Sequence, residues 1–511
     1  MALVIAGQIL PLNRSDPDAL FKGRVFIDDS GTVEAVTSGN GAAPAGFATA
    51  PTIDVGDSFV LPGLIDLHNH IAYNTLPLWA EPKQKTAFAH HDSWTRAPSY
   101  QASISFPARA LVRAAPEALL AHVQLRALVG GTTSIQGWPS ANRKIVQSLR
   151  NVDDETAGGT DHDLIRTSAL TLKAGELAKM AQAESRGRGF IYHCAEGQQG
   201  SLVTREFTDA SNAGCLVKTF IGIHCSAINS DDWARWDKAK AGAMVWSPFS
   251  NFWLYGSTAD VAAAKKQGVS ICIGSDWGPS GSKNVQGELK VARLASMKLG
   301  LGFTDRELVA TVTTNPGDAL SRCWKQVVGR LEEGSFGDVT VFSASTKTVW
   351  THVVESTEAD VRLVVYNGIP RYGEAALMNA APLRPSSPIT VRKKKYRFAI
   401  ANPATPAKGW SFADITGALD AVRKDPVTAL KKADAQRRAF AGPIDADDAP
   451  LELVLDMPFG ARAMAGDIAD HAADIVIPKL PSLVHDAAFF KSIKGRGFHG
   501  GLLDGLAGFY P

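Results

Sequence analysis

The segment LPGLIDLHNH closes an apolar run with two histidines, His68 and His70, two positions apart. On a strand, residues i and i+2 point to one face. Both imidazoles therefore project together, and a pair so placed can hold a zinc-like ion. A second run, GFIYHCAEG, ends in His193, with Glu196 three residues on. A carboxylate there can stand beside a metal-activated water without binding the metal, and can carry a proton from water to a leaving group. A third run, FIGIHCSAI, ends in His224. A fourth, VSICIGSDWG, ends in Asp276, with Gly274, Gly278 and Gly281 marking a loop. An acid at such a strand end can ligate a metal or orient the attacking water. Taken singly, each feature has a plainer reading: solvent-facing loop histidines, or carboxylates that cap helices.

Together they place four histidines and an aspartate at the ends of separate predicted strands, in chain order. Those strands alternate with helical stretches such as ALLAHVQLRALVGG. Strands buried on both faces read as continuous apolar runs, and the alternation predicts a parallel sheet with crossover helices. In a (β/α)8 barrel, catalytic groups gather at the C-terminal strand ends. The other histidines, His90, His91, His122, His162, His352, His471, His485 and His499, are read as surface or packing residues.

Around this core, GRVFIDDSGTVEAVTSG reads as a hairpin turning at Asp28-Asp29-Ser30-Gly31. Strand-rich sequence returns in VVGRLEEGSFGDVTVFSAS and VRLVVYNGIPRYG. The expected organisation is a small β domain from residues 1–57 and 326–375, a barrel over 58–325 and a C-terminal α+β extension over 376–511. In the extension, VRKKKYRFAI reads as a solvated edge strand, its charges at Arg392–Lys395 and Arg397 suppressing aggregation. Ser411 is placed to cap a helix bearing Phe412, Ile415, Leu419 and Val422. LELVLDMP and ADIVIP read as strands and SLVHDAAFFKSI as a final helix.

The chain has 511 residues, too many for one ordinary domain. With 53 basic and 51 acidic residues its net charge is +2, which calls for neither nucleic acid nor an anionic membrane as partner. No uninterrupted apolar run approaches the ~20 residues of a membrane span. The apolar start MALVIAGQIL lacks a positive region and a cleavage pattern, and reads as a strand. Five cysteines, without zinc-knuckle spacing, read as reduced thiols of a cytoplasmic protein.

PGLIDLHNH, YHCAEG, GIHC and GSDWG, in this order, resemble the amidohydrolase superfamily. The likeness is to its chlorohydrolase and aminohydrolase branch, which includes guanine, cytosine and triazine deaminases. MVWSPFSNFWLYG resembles that branch's seventh-strand segment, which puts Asn251 near the substrate. TDRELVATVTTNPGDAL followed by GRLEEGSFGDVTVF resembles its closing helix and β-sandwich return. The resemblance spans about residues 1–375. It implies an α/β fold, a (β/α)8 TIM-type barrel flanked by a small β-sandwich from both ends of the core. It implies that His68, His70, His193 and Asp276 bind one divalent ion, zinc by default, with iron or manganese able to occupy similar sites. Glu196 would be the proton shuttle, and His224 would hold or polarise the attacking water and could contact the metal. The activity implied is hydrolysis of a C–N bond in a cyclic or aromatic small molecule, by a protein of a family that often forms homo-oligomers.

The sequence also departs from that pattern. NTLPLWAEPKQKTAFAHHDSWTRAPSYQ is long and aromatic, and Tyr73, Trp79, Trp94 and Tyr100 are candidates either to line a substrate pocket or to pack. GGTTSIQGWPSANR puts Gln136 and Trp138 at a strand end, as further candidates for substrate contact. Lys173, in SALTLKAGE, opens an alternative: an amidase or ureido-type hydrolase with a carbamylated lysine bridging two metals. The His193-x-x-Glu196 pair belongs to the mononuclear branch. A barrel that has lost catalysis and serves as a scaffold is a third reading.

Overall fold

The computed structural model describes the chain except residues 40, 138–147, 154–163, 170, 440–467 and 511. The N-terminal strands are β1 (Leu3–Ile9), β2 (Phe21–Ile27), β3 (Val33–Ser38) and β4 (Thr52–Pro62). The turn joining β2 to β3 lies at 28–31, where Asp28 accepts hydrogen bonds from the backbone of Ser30 and Thr32. After Pro62 the extended chain runs on almost at once into β5 (Leu64–Asp66). Gly63 permits this crossing, because a Cβ there would sit 2.1 Å from Thr133 Oγ1.

Strands β5, β6 (Thr132–Ile135), β7 (Arg150–Asn151), β8 (Ile165–Ser168), β9 (Gly189–Cys194), β10 (Phe220–His224), β11 (Ala243–Trp246) and β12 (Ser270–Ile273) follow in turn. They pair in parallel as two arcs, β5-β6-β7 and β8 to β12 in chain order. The arcs meet where Leu67 N–H donates to Ile273 O (3.4 Å) and Asn69 bridges to Asp276. Helices cross between the strands, among them Ala174–Glu184, Thr204–Asn212 and Ser230–Ala239. The last starts sharply because Asn229 accepts from the N–H groups of Asp231 and Asp232, satisfying donors the first turn leaves free.

Alternation along the strands sorts two apolar faces. On β9, Ile191 packs with Ile65, Ile221, Ile223, Val245 and Cys272, whereas Phe190, Tyr192 and Cys194 join the larger core outside. His193, two residues after Ile191, shares the first face and reaches the open end of the strands.

Strands β13 (Val339–Phe342), β14 (Val361–Tyr366) and β15 (Ile369–Glu374) return to the first sheet. Hydrogen bonds join the strands from both ends of the core into one nine-stranded sheet. The long β4 is the reason: it pairs with β1 on one side and β13 on the other. The sheet also recruits β16 (Ser387–Val391) and β17 (Lys394–Phe398) from the C-terminal region. This corrects the expectation of a solvated edge at VRKKKYRFAI. β17 lies between β15 and β16, and Arg392 turns in to Glu358, a carboxylate with no exposed surface.

A buried pair fastens the parallel strands to this sheet. Arg150 on β7 meets Asp338 through two 3.0 Å hydrogen bonds, both side chains 3% exposed. Asp338→Asn removes the carboxylate of this buried pair, and should cost ~3–5 kcal/mol in urea unfolding. A change within ~0.5 kcal/mol, as for a neutral surface site, would refute this.

In the C-terminal region, Ser411 caps the helix Phe412–Lys424, whose Ile415, Leu419 and Val422 are buried, as expected. ADIVIP is not a strand: residues 475–480 have no regular structure, although Ile475 and Ile477 are buried. LELVLDMP lies outside the described residues. The helix Ala487–Ile493 forms, but a further turn, Leu503–Phe509, follows it. His485 anchors the region, its Nδ1 2.7 Å from Glu358 Oε1 and its Nε2 accepting from Lys283 N–H. Among the described residues no helix is long and apolar enough to cross a membrane, and all five cysteines are free and buried.

Candidate active site

His68 and His70 follow β5, His193 lies on β9, His224 ends β10 and Asp276 follows β12. These strand ends bring the groups together. The His68 ring centroid lies 4.9 Å from that of His70, 4.7 Å from His193 and 4.9 Å from His224. His70 Nε2 and His193 Nε2 are 3.2 Å apart, and His68 Nε2 is 3.2 Å from Asp276 Oδ1. Yet His68 Nε2, fully buried, has no hydrogen-bond partner. A buried imidazole nitrogen without a partner is costly. Here that atom lies among the donor atoms of the neighbouring histidines and Asp276. Two overlapping triads, His68/His193/His224 and His68/His70/Asp276, keep all their donor atoms within 4.8 Å. The donor set, imidazole nitrogens with one carboxylate oxygen, fits a divalent ion of the zinc type.

The far sides of the rings are held as well. His68 Nδ1 lies 3.3 Å from Gln136 Oε1 and His193 Nδ1 3.3 Å from the Ser168 carbonyl. At His224 the support is a chain: Trp246 Nε1 donates to Thr258 Oγ1, Thr258 to Asn251 Oδ1, and Asn251 Nδ2 to His224 Nδ1. So oriented, His224 carries its proton on Nε2, which faces Glu196 Oε1 at 3.7 Å and Asp276 Oδ2 at 4.0 Å. Asp66 ties the two loops that carry His68 and Asp276, accepting from Ser275 N–H, Ser275 Oγ and Asn69 Nδ2. Burial raises its carboxyl to about 6 despite these bonds.

Electrostatics separate the two acids of the site. Burial raises the Glu196 carboxyl to about 7, against the opposing pull of His91 and of the Tyr255 hydroxyl. Burial would raise Asp276 too, but the adjoining His68 and His224 hold it well below the usual carboxylate range. His193 and His224 are kept neutral by burial and by the imidazoles around them, the form a metal ligand needs. Strain gathers here too: Ala195, His224, Cys225 and Asp276 all have left-handed backbones, with φ of 55°, 63°, 50° and 61°. Gly274 sits against His68, whose Cβ would be 2.4 Å from a Cβ added at that position. Gly274→Ala must therefore displace His68. We expect turnover to fall ~100-fold or more, with weakened metal retention, as a shift near 1 Å costs in a catalytic group; wild-type kinetics would refute this.

The cluster opens onto a cavity walled by Tyr73, Trp94, Tyr100 and Trp277, with His91 and Asp92 beside them. Of the aromatic candidates, Tyr73, Trp94 and Tyr100 thus reach the cavity. Trp79 does not: its indole donates to Ser99 and its ring stacks on Phe88. Gln136 and Asn251, expected to touch substrate, stand behind His68 and His224 and orient them. Trp138 lies outside the described residues. Lys173 is exposed, just before the helix Ala174–Glu184, and does not line the cavity.

Several groups escaped the sequence reading. His91, taken as a packing residue, lines the cavity, and its Nε2 lies 3.3 Å from Glu206 Oε1. Burial disfavours its charge, but Glu206 outweighs this and raises it to about 9. Tyr255 donates to Glu196 (2.6 Å). The signals were faint: two adjacent histidines in an aromatic segment, and a tyrosine four residues past Asn251.

Comparison with known proteins agrees with this geometry. The amidohydrolase family model matches residues 59–369. Two 5-methylthioadenosine/S-adenosylhomocysteine deaminases are similar. That of Halobacterium salinarum is 26% identical over 415 residues, 71% of this chain and 93% of its own. That of Moorella thermoacetica is 23% identical over 343 residues, 58% of this chain and 76% of its own. Among solved structures, an atrazine chlorohydrolase variant from Arthrobacter aurescens, complexed with zinc and atraton, superposes with a TM-score of 0.59 at 15% identity, covering 72% of this chain and 94% of that one. A zinc-bound adenosine deaminase from Xanthomonas campestris gives 0.56 at 15% identity, covering 75% and 97%. The chain is thus a hydrolase with an α/β fold, its histidines gathered at the ends of parallel strands. The chain belongs to the amidohydrolase family, and with it to the enzymes that hydrolyse carbon–nitrogen bonds.

Proposed function

We propose that this protein is a zinc-dependent deaminase that removes an amino group from a nitrogen heteroaromatic ring, with the eight parallel strands read as a (β/α)8 barrel. The observation that carries the reading is the convergence of four imidazoles and Asp276 with Glu196 at one end of those strands. The aromatic wall of Tyr73, Trp94, Tyr100 and Trp277 suits a flat ring, as do the adenine-type substrates named for the two sequence relatives.

His68, His70, His193 and Asp276 would hold one ion, with His224 beside it. Such an ion supplies Lewis acidity, making water nucleophilic near neutral pH and polarising the carbon under attack. His224 donates from Nε2 and orients the oxygen nucleophile. Asp276, ionised at the start, accepts a proton from that oxygen as it adds to the ring carbon. Glu196, poised near neutrality, delivers its proton to the ring nitrogen, takes the proton of the added hydroxyl and hands it to the departing amine, and regains its own from Asp276. The leaving group is ammonia. The competing two-metal reading is less favoured, because a lysine bridging two ions would be buried with them and Lys173 is exposed.

Elemental analysis of the purified protein, joined to a screen of aminopurines, aminopyrimidines and aminotriazines for released ammonia, tests this. We expect about one zinc per chain and ammonia from at least one ring class. A metal-free active enzyme, or release from open-chain amides and ureas alone, would overturn it.

A further inference from the structure

Glu196 is fixed from several directions. Its backbone is set by the His91 N–H, which donates to the Glu196 carbonyl (3.2 Å), and by Ala195 N–H, which donates to Glu206 Oε2 (2.9 Å). What remains free is the side-chain rotation, and one contact controls it. Tyr255 OH donates to Glu196 Oε1 at 2.6 Å, and Trp94 Nε1 donates to Tyr255 OH at 2.8 Å. An indole N–H can only donate. It therefore occupies a lone pair of the phenol and leaves the phenol's single proton for Glu196. Tyr255 is 1% exposed and Glu196 4%, so bulk water does not compete for the bond. Among the described residues, Glu196 Oε2 has no hydrogen-bond partner, and Glu196 lines the cavity. Oε1 is the pinned oxygen and Oε2 the working one.

We propose that Tyr255 is a positioning residue: it locks the Glu196 side chain so that Oε2 faces the nitrogen to be protonated, with Trp94 fixing the direction of the phenol. This rests on the deaminase reading of the site. It adds a demand that a packing role would not make, since Tyr255 must then act only through Glu196.

A double-mutant cycle on the zinc-loaded enzyme tests it, using whichever aminopurine, aminopyrimidine or aminotriazine the wild type turns over. Tyr255→Phe keeps the ring and removes the hydroxyl. We expect kcat to fall ~10–100-fold, the range for a lost hydrogen bond to a charged group, with KM within about twofold. In a Glu196→Gln background the same change should cost less than ~2-fold, because the partner's function is already gone. The metal-free protein gives a reading independent of turnover. Its infrared tyrosine C–O band should shift between wild type and Glu196→Gln, and that shift should vanish when Tyr255 is Phe. Should Tyr255→Phe misfold, Trp94→Phe, which releases the phenol from its orienting donor, is read in the same cycle. An active wild type with unchanged or fully additive Tyr255→Phe kinetics overturns the positioning role alone. A zinc-loaded wild type silent toward the whole panel overturns the deaminase reading, and this one with it.

Discussion

His68→Ala should yield a folded protein that neither retains stoichiometric metal nor turns over substrate. His68 is the hub of the cluster, its ring within 4.9 Å of three other imidazoles and its Nε2 3.2 Å from Asp276. It belongs to both candidate donor triads, so its removal breaks each of them. The fold should survive, because Ala forfeits one 3.3 Å contact, from His68 Nδ1 to Gln136 Oε1, and that oxygen still accepts from Asn69 N–H. Ligand binding to the native state stabilises it by mass action. The wild type should therefore lose thermal stability on chelation, while His68→Ala melts at one temperature with or without chelator. Melting curves and elemental analysis read both. Full metal content with full activity in this variant would end the proposal.

Glu196→Gln should separate metal binding from chemistry. The substitution keeps size and leaves an oxygen to accept from Tyr255, but no longer carries a proton between atoms. Zinc content and fold should be unchanged, and kcat should fall ~10²–10⁴-fold, the usual contribution of a placed acid or base. Loss of metal would make Glu196 a ligand instead. A fall of less than about tenfold would mean that protons move through another group, with His91, charged against Glu206 at the cavity wall, the first to examine.

The chemistry was more legible in the sequence than its support. Metal-binding histidines sit at the ends of apolar runs, and an i, i+2 pair on a strand shares a face whatever else the fold does. His68, His70, His193, His224 and Asp276 could be read from those local rules, and the structure brings them together. The residues that hold them could not. Gln136, Asn251, Tyr255 and Glu206 act across separations of 68, 27, 59 and 115 positions from their partners, and no periodicity marks a long-range hydrogen bond. Trp79 misled for the same reason: an aromatic residue near a site is as fit to pack as to line it, and here Phe88 claims its face. In the sheet, the basic run at 392–397 signalled a solvated edge; Lys393, Lys394 and Lys395 are exposed, but β17 pairs with both β15 and β16 and is not an edge.

The indole of Trp246 heads the hydrogen-bond chain behind His224, and that of Trp94 heads the one behind Glu196. A hydroxyl at such a position could swing over when a proton moves, sending the whole row of dipoles the other way. A pyrrole-type N–H has no lone pair to offer, so neither row can invert. As charge builds up on a reacting ring, the surrounding dipoles are already aligned, and the energy that water would expend in turning to face that charge is not part of the barrier.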